Sequence, residues 1–245
     1  MPRDRSTSST TPKKSKRQEF REMRRQRDLR NRVVVVAGIV LAALLFVVLA
    51  AGPAIRAALA PVGEIVPITP VARPQVNDNA MGDPNAPVVI EEFSGYQCSY
   101  CKLFSEQTEP LIVENYVKTG KVYFIYRSLG GVGTEAGDAA EAAYCAGEQN
   151  KYWEYHDILF ANFAEPITDK RLRAFAETLE LDTGEFNACL RSGRQATRVA
   201  QDGLDGAQYG INSTPSFVIN GMLAITGAQP YEEFQRAIDA VLATE

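Results

Sequence analysis

The sequence predicts an α/β domain standing behind a single apolar N-terminal helix. Three observations carry that prediction. Residues 33–55 form a run without charge, residues 86–129 read as strand, helix and strand, and a helix-rich block is followed by two short strands and a closing helix. Residues 81–245 suit one domain with a sizeable core.

Residues 1–32 hold 12 Lys and Arg against Asp4, Glu19, Glu22 and Asp28, with few large apolar side chains. Such a tract has no core to bury and is expected to be disordered until something binds it. A nucleic-acid arm is one reading of this charge, but its position argues against it. The run VVVVAGIVLAALLFVVLAAGPAI (33–55) follows at once. As a helix it measures about 34 Å, enough to cross a bilayer core of roughly 30 Å. Basic residues crowd its N-terminal flank and only Arg56 follows closely, so the N-terminus is expected in the cytoplasm and the remainder outside. An uncleaved anchor is preferred to a signal peptide cut after Ala58-Leu59-Ala60, because the run exceeds the usual signal core and Pro61 would sit just past the cut. Without the tail, residues 33–245 hold 14 basic and 26 acidic residues. That acidic balance argues against nucleic acid and makes the tail a topology signal that touches anionic plasma-membrane lipid.

Residues 56–80 contain Pro61, Pro67, Pro70 and Pro74, which predicts a semi-rigid linker that holds the domain away from the membrane. APVVIEEF (86–93) reads as a buried strand, and the pattern from Cys98 to about Lys118 as a helix kinked at Pro110. KVYFIYRSL (121–129) is the second strand, parallel to the first. Residues 134 to about 209 have helical spacing with breaks near Pro166 and Gly184. PSFVING and MLAITG form a hairpin turned at Asn220-Gly221, and YEEFQRAIDAVLA closes the chain as an amphipathic helix. The order βαβ, helical insertion, ββα is that of the thioredoxin-like fold.

FSGYQCSYCKLF (93–104) places Cys98 and Cys101 three positions apart. With Cys98 at a helix N-terminus, unpaired N–H groups and the macrodipole favour its thiolate, and Cys101 lies one turn on within disulfide reach. Such a pair exchanges disulfides through a mixed disulfide. A zinc site wants four ligands, and the chain offers one His and no second CxxC. A structural staple is the remaining alternative, though so short a loop gains little from closure. His156, among Tyr152, Trp153 and Tyr155, is expected to pack rather than to bind metal. Glu92, late in an apolar strand, is either a buried acid or a strand-edge residue in water.

GDPNAPVVIEEFSGYQCSYCKLF, YWEYHDILF and INSTPSFVINGMLAITGAQP, in this order, resemble the DsbA-like thiol–disulfide oxidoreductases, above all their membrane-anchored forms. The resemblance covers residues 82–245. It implies that Cys98 is the exposed nucleophile, Cys101 the buried resolving thiol, and Glu92 the acid that exchanges a proton with Cys101, with Lys121 as a weaker candidate for its partner. Thr214 and Pro215 match the pair whose cis peptide bond faces the cysteines and meets a substrate strand. Ser99 and Tyr100 stand where strongly oxidising members carry Pro-His, which removes one stabiliser of the thiolate. Some relatives carry a second bridge, and with an even cysteine count outside the cytoplasm this implies a structural Cys145–Cys189 disulfide. Neither cofactor nor metal is implied. The implied partners are folding exported proteins and an oxidising membrane protein of the DsbB or vitamin-K-epoxide-reductase type. A reductase or isomerase, a copper- or zinc-delivery module and a peptide-binding chaperone are the alternatives.

Overall fold

The computed structural model describes residues 16–59, 61–131 and 133–244. The chain divides into two compact units, Met1–Pro61 and Val62–Glu245. In the first, helix α1 spans Lys16–Leu59. The disorder expected across residues 1–32 therefore does not extend past Lys16, where Arg, Lys, Gln and Glu favour helix; residues 1–15 lie outside the described residues. The helix also runs beyond the expected end at residue 55. Its stretch Met23–Gly52 contains an 18-residue window of mean hydropathy 3.3 and is long and apolar enough to cross a membrane, as an anchor or a signal segment would.

In the second unit, among the described residues, β1 (Ala80–Met81), β2 (Val88–Ser94), β3 (Val122–Ser128), β4 (Ser216–Ile219) and β5 (Met222–Thr226) form one sheet in the order β1-β3-β2-β4-β5. β2 and β3 are parallel and in register from Val88 opposite Val122 to Ser94 opposite Ser128. The other pairs are antiparallel. The two-residue β1 has no counterpart in the sequence reading, because periodicity needs a longer run. The β4–β5 hairpin turns on Asn220 (φ 46°) and Gly221 (φ 79°), both left-handed as a two-residue turn requires. The Asn220 side chain also accepts from the Val89 N–H (2.7 Å) and donates to the Pro87 carbonyl, which fixes the turn to the start of β2.

Between β2 and β3 lie α2 (Ser99–Gln107), α3 (Glu109–Ile112) and a π-helical turn over Val113–Val117. The single kinked helix expected here is broken at Thr108, two residues before the expected point. Pro110 then falls in the first turn of α3, where its missing N–H leaves no helical bond unmade. Helices α4 (Glu135–Gly147), α5 (Tyr152–Ala161), α6 (Asp169–Thr178), α7 (Thr183–Ser192) and α8 (Ala196–Gln208) build the insertion. The break expected near Gly184 lies at residues 179–182, and Gly184 itself sits in the first turn of α7, which Asp182 caps by accepting from the Glu185 N–H (3.0 Å). Within the break Glu180 takes a left-handed φ of 57°. Cys145 of α4 and Cys189 of α7 form a disulfide across 44 residues, a closure that contributes about 4 kcal/mol in the chain-entropy picture. Helix α9 (Tyr231–Leu242) buries Phe234, whose ring meets those of Phe104 and Phe217 at 5.2 and 4.7 Å.

The linker departs most from expectation. Residues 62–79 do not stand free but lie on the domain as a strap. Arg171 donates to the carbonyls of Val62 (2.8 Å) and Glu64 (3.2 Å). The Asn162 side chain bonds both the N–H and the carbonyl of Val66. Ile65 and Ile68 pack against the core. Arg73, 5% exposed, places its guanidinium on Glu109 and, bidentately, on Asp157. The prolines that block helix and sheet leave extended backbone, and these side chains satisfy it.

Truncating one partner of a buried ion pair strands the others. Arg73→Met is therefore expected to cost about 3–5 kcal/mol, read as a lowered midpoint in urea denaturation.

Candidate active site

β2 and β3 set the site by their parity. Val88, Ile90, Glu92 and Ser94 alternate onto one face of β2 and all are fully buried. Their partners Val122, Phe124, Tyr126 and Ser128 do the same on β3. The face is apolar where the strands begin and polar where they end. Glu92, opposite Tyr126, is thus a carboxyl at a core position, the buried alternative of the two sequence readings. Neither of its oxygens has a hydrogen-bond partner among the described residues. Burial, reinforced by the charge of Glu109, holds its carboxyl well above the usual carboxylate range.

Beyond β2, Tyr96 anchors the loop. It is 1% exposed and its ring stacks on Tyr126 at 5.3 Å. The Cys98 N–H donates to the Gly95 carbonyl (3.0 Å), and Cys98 becomes the N-cap of α2 with extended backbone (φ −98°, ψ 118°). Its sulfur accepts the Cys101 N–H at 3.4 Å and lies 3.4 Å from the Thr214 carbonyl oxygen. Burial pushes the half-buried Cys98 thiol up, but the Cys101 thiol, the Thr214 side chain and the N–H groups of Cys101 and Tyr100 outweigh it and hold the group below the ordinary thiol range. Cys101 is fully buried. Burial, the proton it shares with Cys98 and the charge of Glu92 push its thiol far up.

The structure thus brings Cys98, Cys101, Glu92 and Thr214 together. The Thr214–Pro215 bond is cis, with Pro215 buried just before β4. Ser99 and Tyr100 are exposed beside Cys98, Tyr100 by 63%. Cys145 and Cys189 lie elsewhere, in the insertion. Lys121 does not partner Glu92: it is exposed before β3, five residues from Tyr126, and its ammonium lies over the Tyr116 ring. His156 is fully buried among the rings of Tyr126, Trp153 and Phe160, with Nδ1 2.9 Å from Asp157 Oδ1.

Sequence reasoning missed Ser94, Tyr96, Tyr126, Glu109 and Arg73. The alternation of YRS after VYF marks Tyr126 as inward, so β3 parity would have found it. Arg73 and Glu109 meet across 36 residues, and no local pattern marks that contact.

A family model described as thioredoxin matches residues 75–240. An Na(+)/H(+) antiporter NhaA 1 from Salinispora arenicola is 36% identical over 147 residues, 59% of this chain and 22% of the antiporter. A probable disulfide bond formation protein D from Bacillus cereus is 26% identical over 171 residues, 66% of this chain and 78% of that protein. The solved structure of oxidised BdbD from Bacillus subtilis superposes with a TM-score of 0.62 at 23% identity, covering 74% of this chain and all of BdbD. The chain therefore spans about a fifth of the antiporter's length and most of the other two.

A carboxyl with a raised folded pKa stabilises the native state fully below its unfolded value, about 4.3, and that contribution is lost as pH rises through the folded value. The parent should therefore lose stability through this window, by up to about 1.4 kcal/mol per pH unit, while Glu92→Gln should not. Urea melts of both proteins at several pH values read the difference. Parallel curves would return Glu92 to water.

Proposed function

The chain belongs to the thioredoxin family, and from that premise we propose that it is a DsbA-like thiol–disulfide oxidoreductase donating its Cys98–Cys101 disulfide to exported proteins. The observation that carries this reading is the asymmetry of the two thiols. One caps a helix at the surface with its anion favoured, and the other is buried with its proton favoured. A metal site or an inert staple gains nothing from that difference.

The chemistry follows from the geometry. A substrate thiolate attacks Cys98 Sγ, the Cys98–Cys101 bond breaks, and Cys101 leaves as a thiolate that takes its proton from Glu92. A second substrate thiolate then attacks the substrate sulfur of the mixed disulfide and releases Cys98 as the stabilised anion. Thr214, Pro215, Ser99 and Tyr100 border Cys98 and receive the substrate chain, with the Thr214 backbone available to an added strand. Without the histidine of the strongest oxidants, the Cys98 anion rests on N–H groups and on Thr214.

The Cys145–Cys189 disulfide supports an oxidising compartment. The apolar helix with its basic flank supports a single-pass anchor with the N-terminus in the cytoplasm. The name of the Bacillus cereus relative supports the oxidase direction. Turnover then requires a membrane oxidant of the DsbB or vitamin-K-epoxide-reductase type.

Equilibration with glutathione tests the direction: about −120 mV marks an oxidase and about −270 mV a reductase. Trapping tests the roles. Cys101→Ser, produced in an oxidising compartment, is expected to accumulate mixed disulfides through Cys98 on non-reducing gels, whereas Cys98→Ser is expected to form none. Adducts from both variants, or from neither in the presence of substrate, would return the site to its metal-binding or structural alternatives.

A further inference from the structure

A second buried cluster of charge lies where the strap meets α3 and α5. Arg73 Nε and Nη2 donate to Glu109 Oε1 at 3.1 and 2.8 Å. Its Nη1 and Nη2 donate to Asp157 Oδ2 and Oδ1, each at 2.8 Å. Asp157 Oδ1 also takes His156 Nδ1–H at 2.9 Å, and the guanidinium lies 4.8 Å from the centre of the Trp153 ring. Glu109 is 1% exposed, and its Oε2 is as unpartnered, among the described residues, as both oxygens of Glu92.

The guanidinium thus serves two carboxyls, Glu109 and Asp157, and not Glu92. Glu109 and Asp157 take the four bonds described for it, and Glu92 takes none. Among the described residues, the groups acting most strongly on Glu92 include no cation. The groups that face it are Cys98 and Cys101 from α2, Tyr96 from the loop, Tyr126 from β3 and Glu109 from α3, while Phe217, opposite on β4, is apolar. One guanidinium between two carboxylates leaves the cluster with an excess of negative charge, and negative charge near a carboxyl favours its protonated form.

We propose that Arg73 and Glu109 are a positioning pair for the Glu92 proton: the strap's guanidinium holds the Glu109 carboxylate in place within the buried cluster near Glu92, and Glu92 gives up its proton only when Cys101 leaves as a thiolate. The proposal rests on the reading of the dithiol as an exchange site. It makes the strap, the segment between the membrane helix and the first strand, part of the proton supply of that site. In the step it serves, the Cys98–Cys101 bond breaks, the substrate sulfur joins Cys98, and the proton moves from Glu92 to Cys101. Glu92 recovers it from water.

The test uses the oxidised full-length protein in detergent micelles. The opening of its disulfide by excess dithiothreitol is followed by quenched alkylation from pH 5 to 9. The thiolate fraction of the reagent is common to all proteins, so the ratio of parent to variant rates isolates the protein's own proton. For Glu109→Gln the ratio is expected near one at the acid end and to rise at least about threefold above neutrality, because Glu92 ionises at lower pH once its neighbour is neutral. Glu109→Asp, which keeps the anion, should follow the parent. In a Glu92→Gln background Glu109→Gln should leave the ratio flat. Superimposable profiles of parent and Glu109→Gln, or a shift that persists without Glu92, would overturn the proposal. An infrared titration of the parent provides a reading independent of the variant's folding: the carboxyl band lost in Glu92→Gln should persist well above the ordinary carboxylate range, and its disappearance within that range would also overturn the proposal. A parent disulfide that does not react with the dithiol at all would defeat the exchange reading alone, and the infrared titration would still decide the pairing.

Discussion

The structure depends on one constraint: two sulfurs one helical turn apart must sit in opposite electrostatic surroundings. The N-terminus of α2 meets it without any cationic side chain at the cap. Unpaired N–H groups face Cys98 because it is the residue that opens the helix, and Cys101 is carried inward because it lies one turn on. Everything that fixes where α2 starts therefore fixes the chemistry. The buried Tyr96 pins the loop, the Gly95 carbonyl holds the Cys98 N–H, and the Thr214 carbonyl closes the far side.

The same constraint explains a polar layer in the core. Under the proposed function, a thiol that alternates between anion and acid needs a proton partner where water is excluded, and the ends of two parallel strands place a carboxyl there. Glu92, Ser94, Tyr126 and Ser128 stand in register beneath α2, in place of the Val, Ile and Phe found further back on the same strands. Burying a carboxyl without a hydrogen bond is costly unless it keeps its proton. The arrangement of Arg73, Glu109 and Asp157 directs the single cation away from Glu92. The strap thereby belongs to the folded domain in energy as well as in position.

The fold was legible in the sequence where its signals are local. The parallel strands, the helical insertion, the Asn220-Gly221 turn and the closing helix each announce themselves within about ten residues. The cysteines were legible because three positions on a helix start restrict what two thiols can do. Glu92 was only half legible, since its burial depends on which face of β2 the sheet covers. Arg73 was not legible at all. In sequence it is one arginine among prolines, and its two carboxylates lie 36 and 84 residues away. The helix break expected near Gly184 falls just before it, at residues 179–182, because a glycine is tolerated in a first turn when the residue two places earlier supplies the cap.

The Cys145–Cys189 bridge joins α4 to α7 with both cysteines 1% exposed. A thiolate in solution cannot reach it while the insertion is folded, whereas the Cys98–Cys101 pair is reached through Cys98. Under the proposed function one chain carries a permanent bond at Cys145–Cys189 and a turnover bond at Cys98–Cys101, told apart by access. A thiol count on the native protein has two values, none and two, whatever the poise of its surroundings, and the third and fourth thiols come only with unfolding. The fraction of chains charged for reaction can be read directly from that count.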